Sequence, residues 1–296
     1  MARATVGAIE LEYETAGSPD NPTILLVMGL GAQLIHWHEN FCQLLVNGGF
    51  HVVRFDNRDA GLSTKLDGVE IDFPALITAA LEGQEVFDTP YDLSDMAADA
   101  FGLLDALGVE KAHVVGVSLG GMIAQTMAIE GSDRVISLTS IMSSTGTREV
   151  VDIPDESLEL LLAPAPTERE EYLDYSANYA IWSSKKYFDP EIARQHAAVA
   201  YDRCHYPDGV GRQIAAMLAS GDRESQLATM NVPTLVIHGR DDHLVLPLLG
   251  MRTAEVIPAS NFLFLSDMGH DLPEALRTVE VDSILRHIRN SNVAGK

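Results

Sequence analysis

The chain alternates between short apolar runs and amphipathic stretches, and this alternation predicts parallel β-strands separated by helices. Continuous apolar runs of this length are typical of strands that are buried on both faces of a sheet. They occur at TILLVMG (23–29), HVVRFDNRD, KAHVVGVS, RVISLTSIM, TLVIHG and NFLFLSD. Near the start, IELEY instead alternates apolar and acidic residues, which favours an exposed antiparallel strand. We therefore expect an α/β fold with a mostly parallel central sheet flanked by helices.

The helical stretches differ between the two parts of the chain. In LSDMAADAFGLLDALG, apolar residues recur at helical spacing, Ser94 and Asp95 stand at the start, and Gly108 follows the end. Between residues 144 and 228 the alternation stops, and the sequence becomes helix-like and poor in strands. We predict that 144–228 is a helical cap insertion into a core formed by 1–143 and 229–296. Aromatic residues gather in this insertion, at Tyr172, Tyr175, Tyr179, Trp182, Tyr187, Phe188, Tyr201 and Tyr206.

Composition and charge narrow the possible partners. The 296 residues are 46% hydrophobic, and 20 Lys and Arg against 43 Asp and Glu give a net charge of −23. Such an acidic chain is a poor partner for nucleic acid or an anionic membrane. No run approaches the roughly 20 apolar residues of a membrane helix, so we expect a cytoplasmic protein. Cys42 and Cys204 are far apart and match no metal spacing, which predicts a reduced protein without a metal site.

A serine stands between glycines in HVVGVSLGGM (113–122), where an apolar strand gives way to a helical run. It could cap the helix, occupy a tight turn or act as a nucleophile. Gly116, Ser118 and Gly120 form the pattern G-x-S-x-G, in which serine occupies a sharp strand-to-helix turn. A capping serine needs no flanking glycines. The context therefore favours Ser118 as a nucleophile.

A serine hydroxyl needs a base and a group that orients the base. His270 in SDMGH follows the last apolar strand, and Gly269 allows the loop to turn toward the sheet edge. In HGRDDHLV the neighbouring Asp241 and Asp242 follow the preceding strand, and chemistry alone does not choose between them. All these groups, like Ser118, follow strands at the edge where open α/β sheets bind ligands.

An oxyanion that develops at Ser118 would need two backbone N–H donors. One is expected from Leu119, directly after the serine, and the other from the open loop Gly29–Gly31 after TILLVMG. We also expect substrate contacts from Gly29, Trp37 and Trp182. Trp37 is equally compatible with a place in the core.

Several motifs resemble those of the α/β-hydrolase superfamily across nearly the whole chain: VMGLG, RFDNRDAGLS, GVSLGG, HGRDD and MGH. The order Ser, Asp, His along the chain also matches that superfamily. The resemblance implies an α/β-hydrolase fold with a helical cap. It assigns the acid to Asp242, because G-x-x-D falls on Gly239 and Asp242, with Asp241 as the fallback. It also assigns the second oxyanion donor to Leu30.

One departure from the commoner D-x-R-G-x-G-x-S pattern narrows the resemblance. The chain has Asp59 where that pattern has glycine. Together with VMGLGAQ, this departure resembles the subgroup around the aclacinomycin methylesterases and related bacterial esterases. In this pattern, Asp56 and Arg58 are expected to brace the loop.

The resemblance implies a carboxylic-ester hydrolase that works through an acyl-serine intermediate without a cofactor. The aromatic insertion favours a neutral, fairly bulky ester or lactone, with polyketide-type or macrolide-type esters as candidates. We expect a small-molecule substrate and a monomer or homodimer. Three alternatives remain open. A cofactor-free haloperoxidase or perhydrolase, or a C–C hydrolase, would use the same triad, and a ligand sensor would keep the fold with little turnover.

Overall fold

The computed structural model describes residues 2–84, 89–147 and 154–291. These residues build an eight-stranded sheet in the order β1-β2-β4-β3-β5-β6-β7-β8. The strands are β1 (Ala2–Val6), β2 (Ile9–Ala16), β3 (Thr23–Val27), β4 (His51–Phe55), β5 (Ala112–Val117), β6 (Val135–Ile141), β7 (Thr234–Gly239) and β8 (Asn261–Leu265). β2 pairs antiparallel with β1 and β4, and the pairs from β4 to β8 are parallel. The predicted α/β class is confirmed.

Helices connect the strands and cover both faces of the sheet. They are α1 (Glu39–Asn47), α2 (Phe73–Leu81), α3 (Leu93–Ala106), α4 (Leu119–Glu130), α5 (Asp155–Leu162), α6 (Arg169–Tyr175), α7 (Pro190–Arg203), α8 (Asp208–Ser220), α9 (Glu224–Leu227), α10 (Pro247–Val256) and α11 (Arg277–Ser291). One core cluster packs α3 and α4 on the sheet, with Leu103 and Ile123 fully buried. The other packs α1 and α11 on the sheet, with Leu45 and Ile284 fully buried. Burial of this apolar surface is the main term that stabilises the sheet.

Two local details differ from the sequence prediction. The strand β1 was not predicted, and it pairs with β2 at one edge of the sheet. The predicted helix corresponds to α3, with Ser94 and Asp95 in its first turn, but its N-cap, Asp92, was not predicted. The Asp92 side chain accepts from Asp95 N at 3.0 Å, and the Asp95 carboxylate accepts from Asp92 N at 3.0 Å. This reciprocal pair satisfies donors that the first helical turn leaves free.

The segment 144–228, called the cap segment below, lies between β6 and β7. Its described residues, 144–147 and 154–228, contain α5 to α9 and a 3₁₀ turn at Ser176–Ile181, and no strand. The two ends of the segment meet at the sheet edge, where Arg223 N donates to Thr145 O at 2.9 Å. Elsewhere, Cys42 and Cys204 are both free thiols. No helix within the described ranges has the length and apolar character to cross a bilayer.

Candidate active site

Ser118 lies on the turn between β5 and α4 in a strained backbone conformation. Its φ is +53° and its ψ is −124°, a region that costs a residue with a side chain about 1–3 kcal/mol. The turn leaves no room for a side chain at position 116 or position 120. A Cβ at Gly116 would lie 2.1 Å from Gly120 O, and one at Gly120 would lie 2.2 Å from Val27 O. The sharp strand-to-helix turn that the G-x-S-x-G pattern predicts is therefore present at Ser118.

Ser118, His270 and Asp242 form a hydrogen-bonded chain at the carboxyl edge of the sheet. His270 Nε2 lies 3.0 Å from Ser118 Oγ, and His270 Nδ1 lies 2.8 Å from Asp242 Oδ2. The carboxylate can only accept, so Nδ1 carries the proton and Nε2 is left to accept from the serine hydroxyl. This arrangement can remove the hydroxyl proton as the oxygen attacks an electrophilic carbon.

Asp242, and not its neighbour Asp241, makes the contact to His270. The other carboxylate oxygen of Asp242 accepts from Leu244 N at 3.0 Å and from Val245 N at 2.8 Å. Asp241 instead accepts from Arg240 Nε at 3.3 Å. The backbone bonds fix the Asp242 carboxylate in one orientation, and this orientation directs Oδ2 at the imidazole.

The charge state of Asp242 is set by two histidines that oppose the effect of burial. Burial favours the neutral acid, but the charge of His270 and the hydrogen bonds from His238 and His270 outweigh it and lower the pKa of Asp242 to about 2. Nε2 of the fully buried His238 lies 3.3 Å from Asp242 Oδ2. Asp242 is therefore a carboxylate at neutral pH. His238 belongs to the HGRDD motif but was not among the residues predicted for the site.

The two residues predicted to supply backbone N–H donors, Leu30 and Leu119, both line a cavity beside Ser118. Leu119 is the first residue of α4, and the first N–H groups of a helix have no partner within the helix and favour negative charge. The loop after β3 approaches from the other side, since a Cβ at Gly29 would lie 3.2 Å from Ser118 Cβ. Leu30 lies within this loop, in a turn that Ala32 N closes on Gly29 O at 3.2 Å.

The loop after β4 braces the site without entering it. Asp56 accepts from Leu34 N at 2.7 Å and pairs with Arg203 of the cap segment at 2.8 Å. Arg58 donates two hydrogen bonds to Asp99 of α3, at 2.6 and 2.7 Å. Both contacts agree with the bracing role that was expected of Asp56 and Arg58.

A cavity of about 1360 Å³ opens above Ser118 and lies between the sheet edge and the cap segment. Ser118, His270, Leu30 and Leu119 all line it. The aromatic residues that the sequence grouped in the insertion line it as well: Tyr172, Tyr175, Tyr179, Trp182, Tyr187, Phe188, Tyr201 and Tyr206. Drug-sized ligands usually occupy pockets of about 300–1,000 Å³. This cavity therefore has room for a large, largely aromatic or apolar molecule.

The three residues expected to contact substrate have different positions. Gly29 and Trp182 line the cavity, and Trp182 O accepts from His270 N at 2.6 Å. Trp37 is fully buried in the core, where it packs against Phe41 with ring centroids 5.1 Å apart. The expectation of a substrate contact from Trp37 is therefore wrong, and its alternative place in the core is correct. Among the described residues, no group of His, Cys, Asp or Glu is arranged to hold a metal ion.

Comparison with known proteins places the chain in a family. Residues 22–274 match the alpha/beta hydrolase fold family, and the chain belongs to it. The chain is 26% identical to rhodomycin D methylesterase DnrP of Streptomyces peucetius, over 96% of this chain and 97% of that one. It is 27% identical to rhodomycin D methylesterase DauP of Streptomyces sp. (strain C5), over 98% of each chain. The resemblance stated from the sequence motifs is thereby confirmed.

A solved structure shares the fold at lower identity. The 2-hydroxy-6-oxo-6-phenylhexa-2,4-dienoate hydrolase BphD from Rhodococcus sp. strain RHA1 superposes with a TM-score of 0.76 and 19% identity, over 97% of both chains. At this identity the likeness establishes the fold alone.

Proposed function

We propose that this protein is a serine carboxylesterase that hydrolyses neutral esters of bulky carboxylic acids. The observation that carries the proposal is the chain of contacts from Asp242 through His270 to Ser118, which ends in a large cavity. Membership of the alpha/beta hydrolase family supports it. So does the similarity to two proteins named as methylesterases.

In the first half-reaction, Ser118 Oγ attacks the ester carbonyl carbon while its proton moves to His270 Nε2. The carbonyl oxygen becomes an oxyanion that accepts hydrogen bonds from Leu30 N–H and Leu119 N–H, and each such donor is worth about 3–4 kcal/mol. Asp242 stabilises the imidazolium that forms. Collapse of the intermediate expels the alcohol, which takes the proton from His270 and leaves an acyl-serine.

In the second half-reaction, water replaces the alcohol. His270 takes a proton from the water as its oxygen attacks the acyl carbon, and the second tetrahedral intermediate uses the same two N–H donors. Collapse releases the acid, and the proton held by His270 returns to Ser118 Oγ. The two steps consume one water molecule and yield one acid and one alcohol.

The size and lining of the cavity favour a large ester with aromatic or apolar groups. Planar aromatic side chains pack well against polycyclic or aromatic ligands. Tyr179 and Trp182, for example, are stacked on the cavity wall, with ring centroids 5.8 Å apart and an interplanar angle of 13°. The name methylesterase, carried by the two relatives, supports a small alcohol. Methyl esters of polycyclic aromatic polyketide acids are therefore the proposed substrate class.

A matched pair of substrates tests this proposal. A methyl ester of a polycyclic aromatic acid should be hydrolysed with a higher kcat/KM than the acetate ester of an equally large polycyclic alcohol. Ser118→Ala should abolish both reactions. Full hydrolysis by Ser118→Ala would reject the mechanism, and preference for the acetate would reverse the assignment of the cavity to the acyl group.

Assays of the same purified protein with other substrates distinguish the esterase from the three alternative functions. Bromination that depends on peroxide, with little ester hydrolysis, would favour the haloperoxidase interpretation. Cleavage of a vinylogous 1,5-diketone in place of esters would favour the C–C hydrolase. Tight binding of the ester without release of acid would favour a sensor.

A further inference from the structure

One turn of the cap helix α8 lies directly on the two core loops beside Ser118. A Cβ at Gly31, in the loop that carries Leu30, would lie 2.8 Å from Val210 Cγ2 of α8. A Cβ at Gly209 of α8 would lie 2.0 Å from Asp59 O, in the loop after β4. Close packing of this kind fixes the distance between the helix and both loops.

The Gln213 side chain of α8 joins the same two loops. Its Oε1 accepts from Gly31 N at 2.8 Å, and its Nε2 donates to Arg58 O at 2.8 Å. Only one orientation of the amide satisfies both partners, because a backbone N–H can only donate and a carbonyl can only accept. Gln213 is fully buried and lies outside the residues that line the cavity.

A buried ion pair holds α8 in place next to Gln213. Arg212 Nε and Nη2 each lie 2.9 Å from a carboxylate oxygen of Asp59. Asp59 also accepts from Tyr91 Oη at 2.8 Å and from Leu66 N at 2.8 Å. A carboxylate with four donors and a guanidinium bound at two points leave the helix little freedom to move.

We propose that Gln213 is a positioning residue for ester hydrolysis: by holding Gly31 N it fixes the Leu30–Gly31 peptide and so limits rotation of the adjoining Gly29–Leu30 peptide, whose Leu30 N–H faces the oxyanion. The loop needs such a constraint, because Gly29 and Gly31 on either side of Leu30 leave its backbone unusually free, and Gly31 has a φ of +63°. The bond to Gln213 removes that freedom before the substrate arrives. This inference rests on the proposed function.

The test compares variants that lose both hydrogen bonds of the Gln213 side chain with one that keeps the acceptor for Gly31 N. Gln213→Met has nearly the same shape and loses both hydrogen bonds. Removal of a whole oxyanion donor costs about 100- to 1,000-fold in kcat, so a donor that is only misaligned should cost about 10- to 100-fold. KM should stay within about threefold, because the ground-state contacts are retained. The inhibition constant of a trifluoromethyl ketone, which forms an oxyanion on serine, should rise in parallel with the loss of kcat.

Three further variants serve as controls for stability, for the hydrogen-bond partner and for a distant substitution. Gln213→Ala leaves space for water to reach both backbone groups, so it keeps the test available if Gln213→Met does not fold. Gln213→Glu keeps an acceptor for Gly31 N and should retain more of kcat than Gln213→Met. Gln195→Leu, on the exposed face of the cap helix α7, should leave kcat unchanged.

Several outcomes would overturn the inference. One is a wild-type kcat in Gln213→Met or Gln213→Ala, and another is a loss of kcat in Gln213→Glu as large as that in Gln213→Met. The others are an affinity for the trifluoromethyl ketone that does not follow kcat, and failure of both Gln213→Met and Gln213→Ala to fold. Ser118→Ala, assayed in parallel, separates this inference from the proposed function. If Ser118→Ala abolishes turnover while Gln213→Met keeps it, only the role of Gln213 fails. If Ser118→Ala keeps turnover, the proposed function itself fails.

Discussion

The strongest stability prediction concerns Asp59, which stands where the commoner motif has glycine. Its φ of +62° explains the glycine of that motif. Asp59→Asn is a mild change, because asparagine tolerates this conformation and has nearly the same volume. It nevertheless removes the only carboxylate that Arg212 contacts among the described residues.

The size of the effect follows from burial. The Asp59 side chain is fully buried and that of Arg212 is only 6% exposed. Breaking a buried pair by neutralising one partner strands the other charge and costs about 3–5 kcal/mol. This is a large share of the roughly 5–15 kcal/mol that stabilises a typical protein. The double variant with both Asp59→Asn and Arg212→Met leaves no unpaired charge in the core. Its loss in free energy of unfolding should therefore be smaller than the sum of the losses of the two single variants, by about 1–3 kcal/mol.

Urea unfolding followed by circular dichroism measures these differences. A matched control is the pair of Arg169 and Asp202 on the surface of the cap segment, which also shares two hydrogen bonds, at 2.7 and 2.9 Å. Because water screens that pair, Asp202→Asn should leave the unfolding midpoint unchanged. A midpoint shift in Asp59→Asn no larger than that in Asp202→Asn would refute the argument that the buried pair anchors the cap.

Three further predictions concern the site and its surroundings. Asp242→Asn should lower kcat about 10⁴-fold without unfolding the protein. Because the pKa of Asp242 is lowered from 3.8 to about 2, wild type should lose stability relative to this variant as pH falls from about 4 to 2, and an identical urea profile would contradict this. Burial raises the pKa of Glu280 from 4.5 to about 8, so the folded state binds a proton that the unfolded state releases. The free energy of unfolding of wild type should therefore fall as the pH rises from about 4.5 to 8, and that of Glu280→Gln should not. The same pH dependence of urea unfolding in both proteins would contradict this. Gly116→Ala should abolish labelling by a fluorophosphonate, since its Cβ would lie 2.1 Å from Gly120 O; wild-type labelling would show that the turn can relax.

The sequence predicted the sheet because burial on both faces leaves a strong local signal. Apolar runs such as TILLVMG can be recognised without any partner, and strand ends then bring Ser118, Asp242 and His270 to one edge. The edge strand β1 was missed because ARATV is short and only partly buried, so its pattern of apolar positions is weak.

The contacts of the cap could not be predicted, because they join residues distant in the sequence. Gln213 and Gly31 are 182 positions apart, and nothing in the local sequence of α8 distinguishes a bridging glutamine from an exposed one. Asp59 was visible as a departure from the motif, but its partner Arg212 was not. Trp37 shows the same limit, since an aromatic residue near a loop gives no local sign of whether it faces a cavity or the core.

The central claim is that Ser118 is the nucleophile, and covalent labelling tests it most directly. The protein would be treated with a fluorophosphonate while ester hydrolysis is followed, and the adduct located by mass spectrometry of peptides. The account predicts one equivalent of adduct on Ser118, loss of hydrolysis in proportion to labelling, and no adduct in Ser118→Ala. Complete inhibition with Ser118 unmodified, or hydrolysis that continues with Ser118 fully labelled, would contradict it.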